Sequence, residues 1–155
     1  MKITICASMS FAGEILAIQH ALERHGHTVL VPDGAQDYLQ GQAGKTDRDE
    51  GARRKIARDL IRQHHAYIES SDAILVLNYD KKGIKNYVGG NAFLEMGFAF
   101  VMGKHVFMLH DSPNIDMIKE EIIAMQPIIL NGDISRIPLK APYREAEDRL
   151  SEAAA

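Results

Sequence analysis

Cysteine, tryptophan and proline are all scarce in this chain of 155 residues, which contains one, none and five of them respectively. Because Cys6 has no second cysteine to pair with, an internal disulfide is excluded, and with it the class of small domains that disulfides hold together. The apolar run near the N-terminus, residues 3–7, is too short for a signal peptide or a membrane-spanning helix. These absences lead us to expect a cytoplasmic protein.

An excess of positive charge is also missing. The chain has 18 lysines and arginines against 21 aspartates and glutamates, and its formal net charge is -3. We therefore expect neither a nucleic acid polymer nor a membrane as partner, but a small molecule or a protein. The 46% of hydrophobic and 25% of charged residues are typical of an ordinary globular domain. We predict a single domain over residues 1–155, with a weakly patterned tail from about residue 132.

Short apolar segments alternate along the chain with longer amphipathic or charged segments. The apolar and β-branched runs predict strands at residues 2–8, 28–31, 72–78, 105–109 and 127–130. The segments between them predict helices at residues 14–25, 47–70, 92–102 and 116–125. This alternation predicts an α/β fold, a three-layer sandwich whose sheet has five parallel strands in flavodoxin-like order.

Three loops at the carboxyl ends of the predicted strands form the expected binding region, because such sheets bind ligands there. They span residues 7–13, 32–44 and 79–91. Two glycines in the third loop let the backbone approach an anion or a sugar, and Asn91 is expected to cap the next helix, although a plain tight turn would explain the glycines equally well. The expected substrate contacts are Ala7, Ser8, Met9, Phe11, Asp33, Tyr87, Gly89, Gly90 and Asn91.

The rings of Phe11 and Tyr87 flank the same predicted opening. They either stack on a planar base or pack in the core, and the sequence leaves both interpretations open.

One charged residue, Glu95, interrupts the otherwise apolar stretch of residues 89–102. An ionised carboxylate is unfavourable in an apolar setting unless it has a partner, so an acid in such a place is a candidate reactive group. A capping box is the structural alternative. With Asn91 as the cap, however, the third helical position is Leu94, one residue too early. We therefore predict a catalytic role for Glu95.

A histidine is the second catalytic candidate. With residues spaced about 100° apart around a helix, His64 falls inside an apolar stripe of the predicted helix 47–70. The other members of that stripe are Ile56, Leu60, Ile61, Tyr67 and Ile68. An inward-facing histidine is either a hydrogen-bonded core residue or a partner for Glu95. Both interpretations stay open at this point.

Residue spacing gives no support for a metal site or a cofactor. Among the seven histidines, the adjacent His64 and His65 cannot face one ion from a helix. The glycines match neither a phosphate loop nor a dinucleotide-binding fingerprint, and no serine has the glycine neighbours of a hydrolase elbow. We therefore expect no metal and no cofactor.

Three segments together resemble the nucleoside 2-deoxyribosyltransferase family and its nucleotide N-hydrolase relatives: residues 6–10 (CASMS), 71–76 (SDAILV) and 90–99 (GNAFLEMGFA). The resemblance covers roughly residues 2–130. It implies a flavodoxin-like sheet, a homo-oligomer, and cleavage or transfer at the N-glycosidic bond of a nucleoside or nucleoside monophosphate. It also implies that Glu95 is the nucleophile that attacks the anomeric carbon.

The chain departs from this family in two places. His64 stands where the family has an aspartate that handles the departing base, and the loop at residues 79–88 is longer than is usual in the family. A protonated imidazole can donate to a leaving base as an aspartic acid does, provided that its pKa stays near neutrality. The alternative to an enzyme is a catalytically silent module that binds or senses a nucleotide in the same pocket.

Overall fold

Parallel strands form one sheet in the computed structural model, which describes residues 1–40 and 48–141, but not the side chains of residues 48–51 and 54. Within these ranges the strands are β1 (Lys2–Ala7), β2 (Thr28–Leu30), β3 (Ala73–Leu77), β4 (His105–Met108) and β5 (Ile128–Ile129). They are ordered β2-β1-β3-β4-β5, and each neighbouring pair is parallel. This is the flavodoxin-like order, so the predicted fold class is confirmed.

Helices cover both faces of this sheet. In the described ranges they are α1 (Ala12–Arg24), α2 (Ala35–Leu39), α3 (Arg48–Ala57), α4 (Leu60–Glu69), α5 (Gly90–Val101) and α6 (Lys119–Ala124). One buried cluster joins α1 and α2 to the sheet, and a second joins α4, α5 and α6 to its other face. The three predicted layers are therefore present.

Alternate residues of each strand fill the two faces of the sheet. In β1, Ile3 and Ile5 pack on the side of α1 and α2, whereas Cys6 packs with α4 and α5. In β3, Leu75 and Val76 divide between the two faces in the same way. Because successive side chains of a strand point to opposite faces, the position of Cys6 in β1 fixes the side on which its thiol lies.

The prediction of one continuous helix over residues 47–70 is wrong. The chain breaks between α3 and α4 at Asp59, whose φ is 49°. A positive φ redirects the chain, so residues before and after the break no longer share one face. Ile56 is 80% exposed and Ile61 is 50% exposed, which contradicts the predicted stripe, whereas His64 and Ile68 are buried as predicted.

Other boundaries also differ from the prediction. Gly89 is the N-cap of α5, and Asn91 is the second residue of that helix, so the predicted cap is wrong. The second predicted loop contains α2, and its residues 41–44 lie outside the described ranges. In the tail, Ile137 follows a short 3-10 helix (Ile134–Arg136) and packs into the core. The single domain over residues 1–155 stays a prediction, because residues 142–155 are not described.

None of the helices found at residues 1–40 and 48–141 combines the length and the apolar character that crossing a membrane requires.

Candidate functional site

A cleft opens where β1 ends, beside the first turns of α5. The chain continues from β1 into α1 on one face of the sheet and from β3 toward α5 on the other, and sheets of this kind bind ligands where the connections diverge. The cleft contains about 710 Å³ of empty space, part of which is open solvent. The predicted site residues that line it are Ala7, Met9, Asp33, His64, Asn91 and Glu95.

The two predicted catalytic residues meet in this cleft. His64 comes from the middle of α4 and Glu95 from α5, and the imidazole Nε2 lies 3.7 Å from the carboxylate Oε1. Their side chains are 9% and 18% exposed, respectively. Two side chains that are largely shielded from water and close to each other can influence each other's charge, because the effective dielectric constant there is low.

A third polar group, the thiol of Cys6, completes the buried cluster. Its Sγ atom lies 3.7 Å from His64 Nε2, and the thiol also forms a hydrogen bond with the Glu95 carboxylate. Cys6 is fully buried, since β1 turns this side chain toward α4 and α5. Three different elements of the fold therefore bring one sulfur, one nitrogen and one oxygen atom within 4.8 Å of one another.

Burial dominates the acid–base properties of this cluster. It raises the pKa of Glu95 to about 7, although the Cys6 hydrogen bond and the charge of Lys55 act in the opposite direction. Burial lowers the pKa of His64 to about 4, against the smaller opposite effect of Asp33. The pKa of the Cys6 thiol is raised, again chiefly by burial. Near pH 7 the imidazole is therefore neutral, and the acid is poised between its two forms.

Consequently, His64 does not carry the positive charge that a protonated donor would need near pH 7. Although His64 and Glu95 are close enough for an ion pair, loss of hydration, which disfavours the charged form of each group, has the largest effect on both pKa values. The neutral imidazole still lies next to the carboxyl group, although 3.7 Å is longer than a hydrogen bond.

Two hydrogen bonds between side chains shape the wall of the cleft. Lys55 Nζ donates to Asn91 Oδ1 at 2.8 Å, which explains what the asparagine does in place of capping α5. The Tyr67 hydroxyl donates to Asp33 Oδ1, also at 2.8 Å. An ammonium, an amide, a phenol and a carboxylate thus border the same space, and they offer both donors and acceptors to a polar ligand.

A second cavity adjoins the first at the N-terminus of α5. The two share Ala7, Met9 and Asn91, and the predicted residues Ser8, Tyr87, Gly89 and Gly90 line the second one. Lys81 Nζ enters it, donating to Ser8 Oγ at 2.5 Å and lying 5.8 Å from the centre of the Tyr87 ring. An ammonium group next to a helix N-terminus favours an anionic group.

Phe11 is the one predicted contact that lines neither cavity. The Phe11 ring packs edge-to-face against Tyr79, with 5.3 Å between the ring centres. Lys81 Nζ lies 5.7 Å from the centre of the Phe11 ring. The structure therefore gives it packing partners at the edge of the site.

The sequence alone does not identify Cys6, Lys55 or Tyr67 as site residues. Tyr67 could have been found, because it lies three residues after His64 and therefore on the same side of the helix. Lys55 could not be found in this way, because the chain breaks at Asp59 and helical spacing does not relate residues on opposite sides of a break. Cys6 gave no signal beyond its position at the end of a strand and at the start of the segment of residues 6–10.

Comparison with known proteins gives weak likenesses only. No family model matches the chain, and no curated protein matches its sequence. Among solved structures, the chain is similar to a 2-deoxyribosyltransferase from the psychrotolerant bacterium Bacillus psychrosaccharolyticus, with 17% identity over 70% of this chain and 71% of that chain and a TM-score of 0.44. It is also similar to a CMP N-glycosidase from Clostridium botulinum, with 16% identity over 99% of both chains and a TM-score of 0.47. Since both TM-scores are below 0.5, the side chains of the site must carry the functional assignment.

Proposed function

We propose that this protein cleaves or transfers the N-glycosidic bond of a nucleoside or nucleoside monophosphate, with Glu95 as the nucleophile. The observation that carries the proposal is the largely buried Glu95 carboxyl group, which lines a ligand-sized cleft at the carboxyl edge of the sheet. The resemblance of residues 90–99 to the deoxyribosyltransferase family supports the same role.

The reaction divides into two displacements. The ionised Glu95 carboxylate attacks the anomeric carbon, the bond from that carbon to the base nitrogen breaks, and the base leaves with the bonding electrons and takes up a proton from solvent. The result is a glycosyl ester of Glu95. Attack by water then gives hydrolysis, and attack by a second base gives transfer.

The neighbouring groups supply position and charge. His64 lies next to the carboxyl group, and the nearby positive charge of Lys55 favours the ionised form of that group. Asp33 and Tyr67 supply polar groups for a base, and the cavity with Lys81 suits an anionic substituent on the sugar. These assignments place the base in the first cavity and any phosphate in the second.

A second candidate function is nucleotide binding without turnover. It is favoured by the low pKa of His64, because a neutral imidazole is a weaker proton donor to a leaving base than a carboxylic acid in that place. A binding protein would be stabilised against heat by a nucleoside monophosphate that is recovered intact.

The experiment that tests the enzyme is base release from a panel of ribo- and deoxynucleosides and their monophosphates. Wild type is compared with Glu95→Gln and with Glu121→Gln, a matched change of an exposed glutamate on α6. We expect release from wild type and Glu121→Gln but not from Glu95→Gln. Equal release from all three proteins would remove Glu95 from the mechanism. Binding without release from any of them would favour the second candidate.

We also propose a homo-oligomer. The apolar side chains Leu94, Phe100 and Val101 of α5 are 44%, 43% and 84% exposed in the single chain, which supports a contact with another copy. Light scattering after size exclusion should give a mass above the 17.2 kDa of one chain. A monomeric mass at all concentrations would contradict this.

A further inference from the structure

Cys6, His64 and Glu95 together have the composition of a transition-metal site. They offer one thiol sulfur, one imidazole nitrogen and one carboxylate oxygen, all of which are ligand types that Zn²⁺ accepts. Magnesium and calcium prefer sites made of oxygen atoms, so a sulfur and a nitrogen point to a borderline-soft cation. Sequence spacing could not reveal this group, because its members are contributed by β1, α4 and α5.

The distances between the donors also fit one ion. Bond lengths of about 2.3 Å to sulfur and about 2.0 to 2.2 Å to nitrogen and oxygen place tetrahedral donors roughly 3.3 to 3.6 Å apart. Sγ of Cys6 and Oε1 of Glu95 each lie 3.7 Å from Nε2 of His64, and no two of the three donor atoms are separated by more than 4.8 Å. Small side-chain rotations are enough to close the set around a metal.

Charge balance favours a divalent ion in this place. A thiolate and a carboxylate that are both shielded from water repel each other and are unfavourable without a cation. One divalent ion neutralises both charges and gives each of them a ligand bond. On binding, the Cys6 thiol releases its proton to solvent, as do carboxyl groups that are still protonated.

Two of the three proposed ligands border the cleft. His64 and Glu95 both line that space, so three protein ligands would leave one position open to water or to a small molecule. An open position makes the ion exchangeable.

We propose that Cys6, His64 and Glu95 bind one zinc-class divalent cation, and that the bound cation and the substrate exclude each other. The exclusion rests on the proposed function: a Glu95 oxygen that ligates the metal is no longer free to attack the anomeric carbon. Metal binding itself does not depend on that function.

Cobalt(II) provides a direct test, because it takes up zinc sites and its absorption spectrum reports its ligands. The protein is treated with a chelator, desalted and titrated with Co²⁺ alone. Since Cys6 is the only cysteine of the sequence, any thiolate-to-cobalt charge-transfer band must arise from this residue. We expect one Co²⁺ per chain, that band, the strong visible bands of a tetrahedral ion, and loss of all of them on addition of Zn²⁺.

Variants assign the ligands one at a time. Cys6→Ser should abolish the charge-transfer band, and His64→Gln and Glu95→Gln should each weaken Co²⁺ binding by about tenfold or more. His20→Gln, a change of a histidine whose side chain is 67% exposed, should bind Co²⁺ as wild type does. Circular dichroism of the metal-free proteins identifies any variant that fails to fold, and Cys6→Ala then replaces Cys6→Ser. Absence of the charge-transfer band from folded wild type would overturn the metal site.

The exclusion has its own readout. Base release from chelator-treated wild type should fall in proportion to the fraction of chains that have bound Zn²⁺, and excess chelator should restore it. Base release that requires Zn²⁺ would overturn the exclusion. If no base is released with or without metal, the proposed function fails, whereas the cobalt spectrum still decides whether the metal site exists.

Discussion

The two faces of the sheet contrast within a single strand. Ile3 and Ile5 of β1 point into an apolar cluster beneath α1, whereas Thr4 and Cys6 point toward α4 and α5. On that second side Thr4 is hydrogen-bonded through its hydroxyl, and Cys6 lies 3.7 Å from the ring of His64. At β1, one face therefore packs apolar side chains only, whereas the other adds polar groups held away from water to its own apolar cluster.

The apolar cluster beneath α1 contributes mainly to stability, whereas the buried polar groups on the other face contribute to the proposed chemistry. Close packing of apolar side chains stabilises the fold, and loss of volume there is destabilising. Polar groups held away from water reduce stability when they must be charged, yet charge is what a reactive site needs. A substitution in the apolar cluster beneath α1 should therefore lower the free energy of unfolding and leave kcat unchanged. A substitution of the buried acid on the other face should lower activity without that loss of stability.

The largest expected effect is that of Glu95→Gln on catalysis. Removing the nucleophile should lower kcat/KM for base release by at least about 10³-fold, because no other group replaces it. The measurement is base release at pH 8, where most Glu95 carboxyl groups are ionised. A fall in kcat/KM of less than about tenfold would mean that Glu95 is not the nucleophile. The contrast between the two faces of the sheet would then not hold.

The next effect belongs to the opposite face. Leu22 of α1 is fully buried, and Leu22→Ala should lower the free energy of unfolding by about 2 to 5 kcal/mol. The kcat of the folded fraction should not change, because Leu22 lines neither cavity. Urea unfolding and active-site titration measure the two quantities. Ile123→Ala, at a side chain that is 57% exposed, provides the control with little loss of stability.

We expect the free energy of unfolding of chelator-treated protein to depend on pH through Glu95. Burial raises its pKa from 4.5 to about 7, so in this interval the folded chain holds a proton that the unfolded chain has released. Stability from this group is therefore highest below pH 4.5 and is lost as the pH rises through about 7, by up to about 3 kcal/mol. Glu95→Gln should remove this loss.

Urea unfolding of wild type and Glu95→Gln at pH 5 and pH 8 makes the comparison. We expect the variant to be more stable than wild type at pH 8, with a smaller difference at pH 5. The reverse order would mean that the ionised carboxylate is well solvated or paired. Comparison of the two proteins at each pH cancels most of the contribution of His64, whose lowered pKa acts in the opposite direction as the pH falls below 6.5.

The smallest expected effect concerns the second cavity. Lys81→Ala should raise KM for a nucleoside monophosphate by about tenfold, the size of one charge-assisted hydrogen bond. KM for the corresponding nucleoside should stay the same. Lys85→Ala, in the same loop but outside both cavities, is the matched control. An equal change in KM for both substrates would mean that Lys81 does not contact a phosphate.

The sheet could be predicted from the sequence because its pattern is local. Continuous apolar runs such as Ala73–Leu77 mark buried parallel strands, and their alternation with helices limits the topology. The break at Asp59, where φ is 49°, could not be predicted, since no glycine or proline marks it. The asparagine at position 91 suggested a cap, but it is bonded to Lys55 instead.

The site was only half visible in the sequence. Glu95 stood out because it is a lone charge in an apolar helix, and helical periodicity placed His64 inward. Cys6 could not be assigned, because its partners come from elements far away along the chain. The pKa values that set the charge of the cluster arise from burial, which residue spacing does not show.

Identifying the residue that carries the sugar during turnover tests the role of Glu95 without relying on a loss of activity. Chelator-treated protein is mixed with a substrate, quenched in acid within the first turnover and digested with pepsin, and the peptides are analysed by mass spectrometry. We expect a glycosyl adduct on Glu95. Base release with no adduct, or an adduct on Cys6, would contradict this expectation.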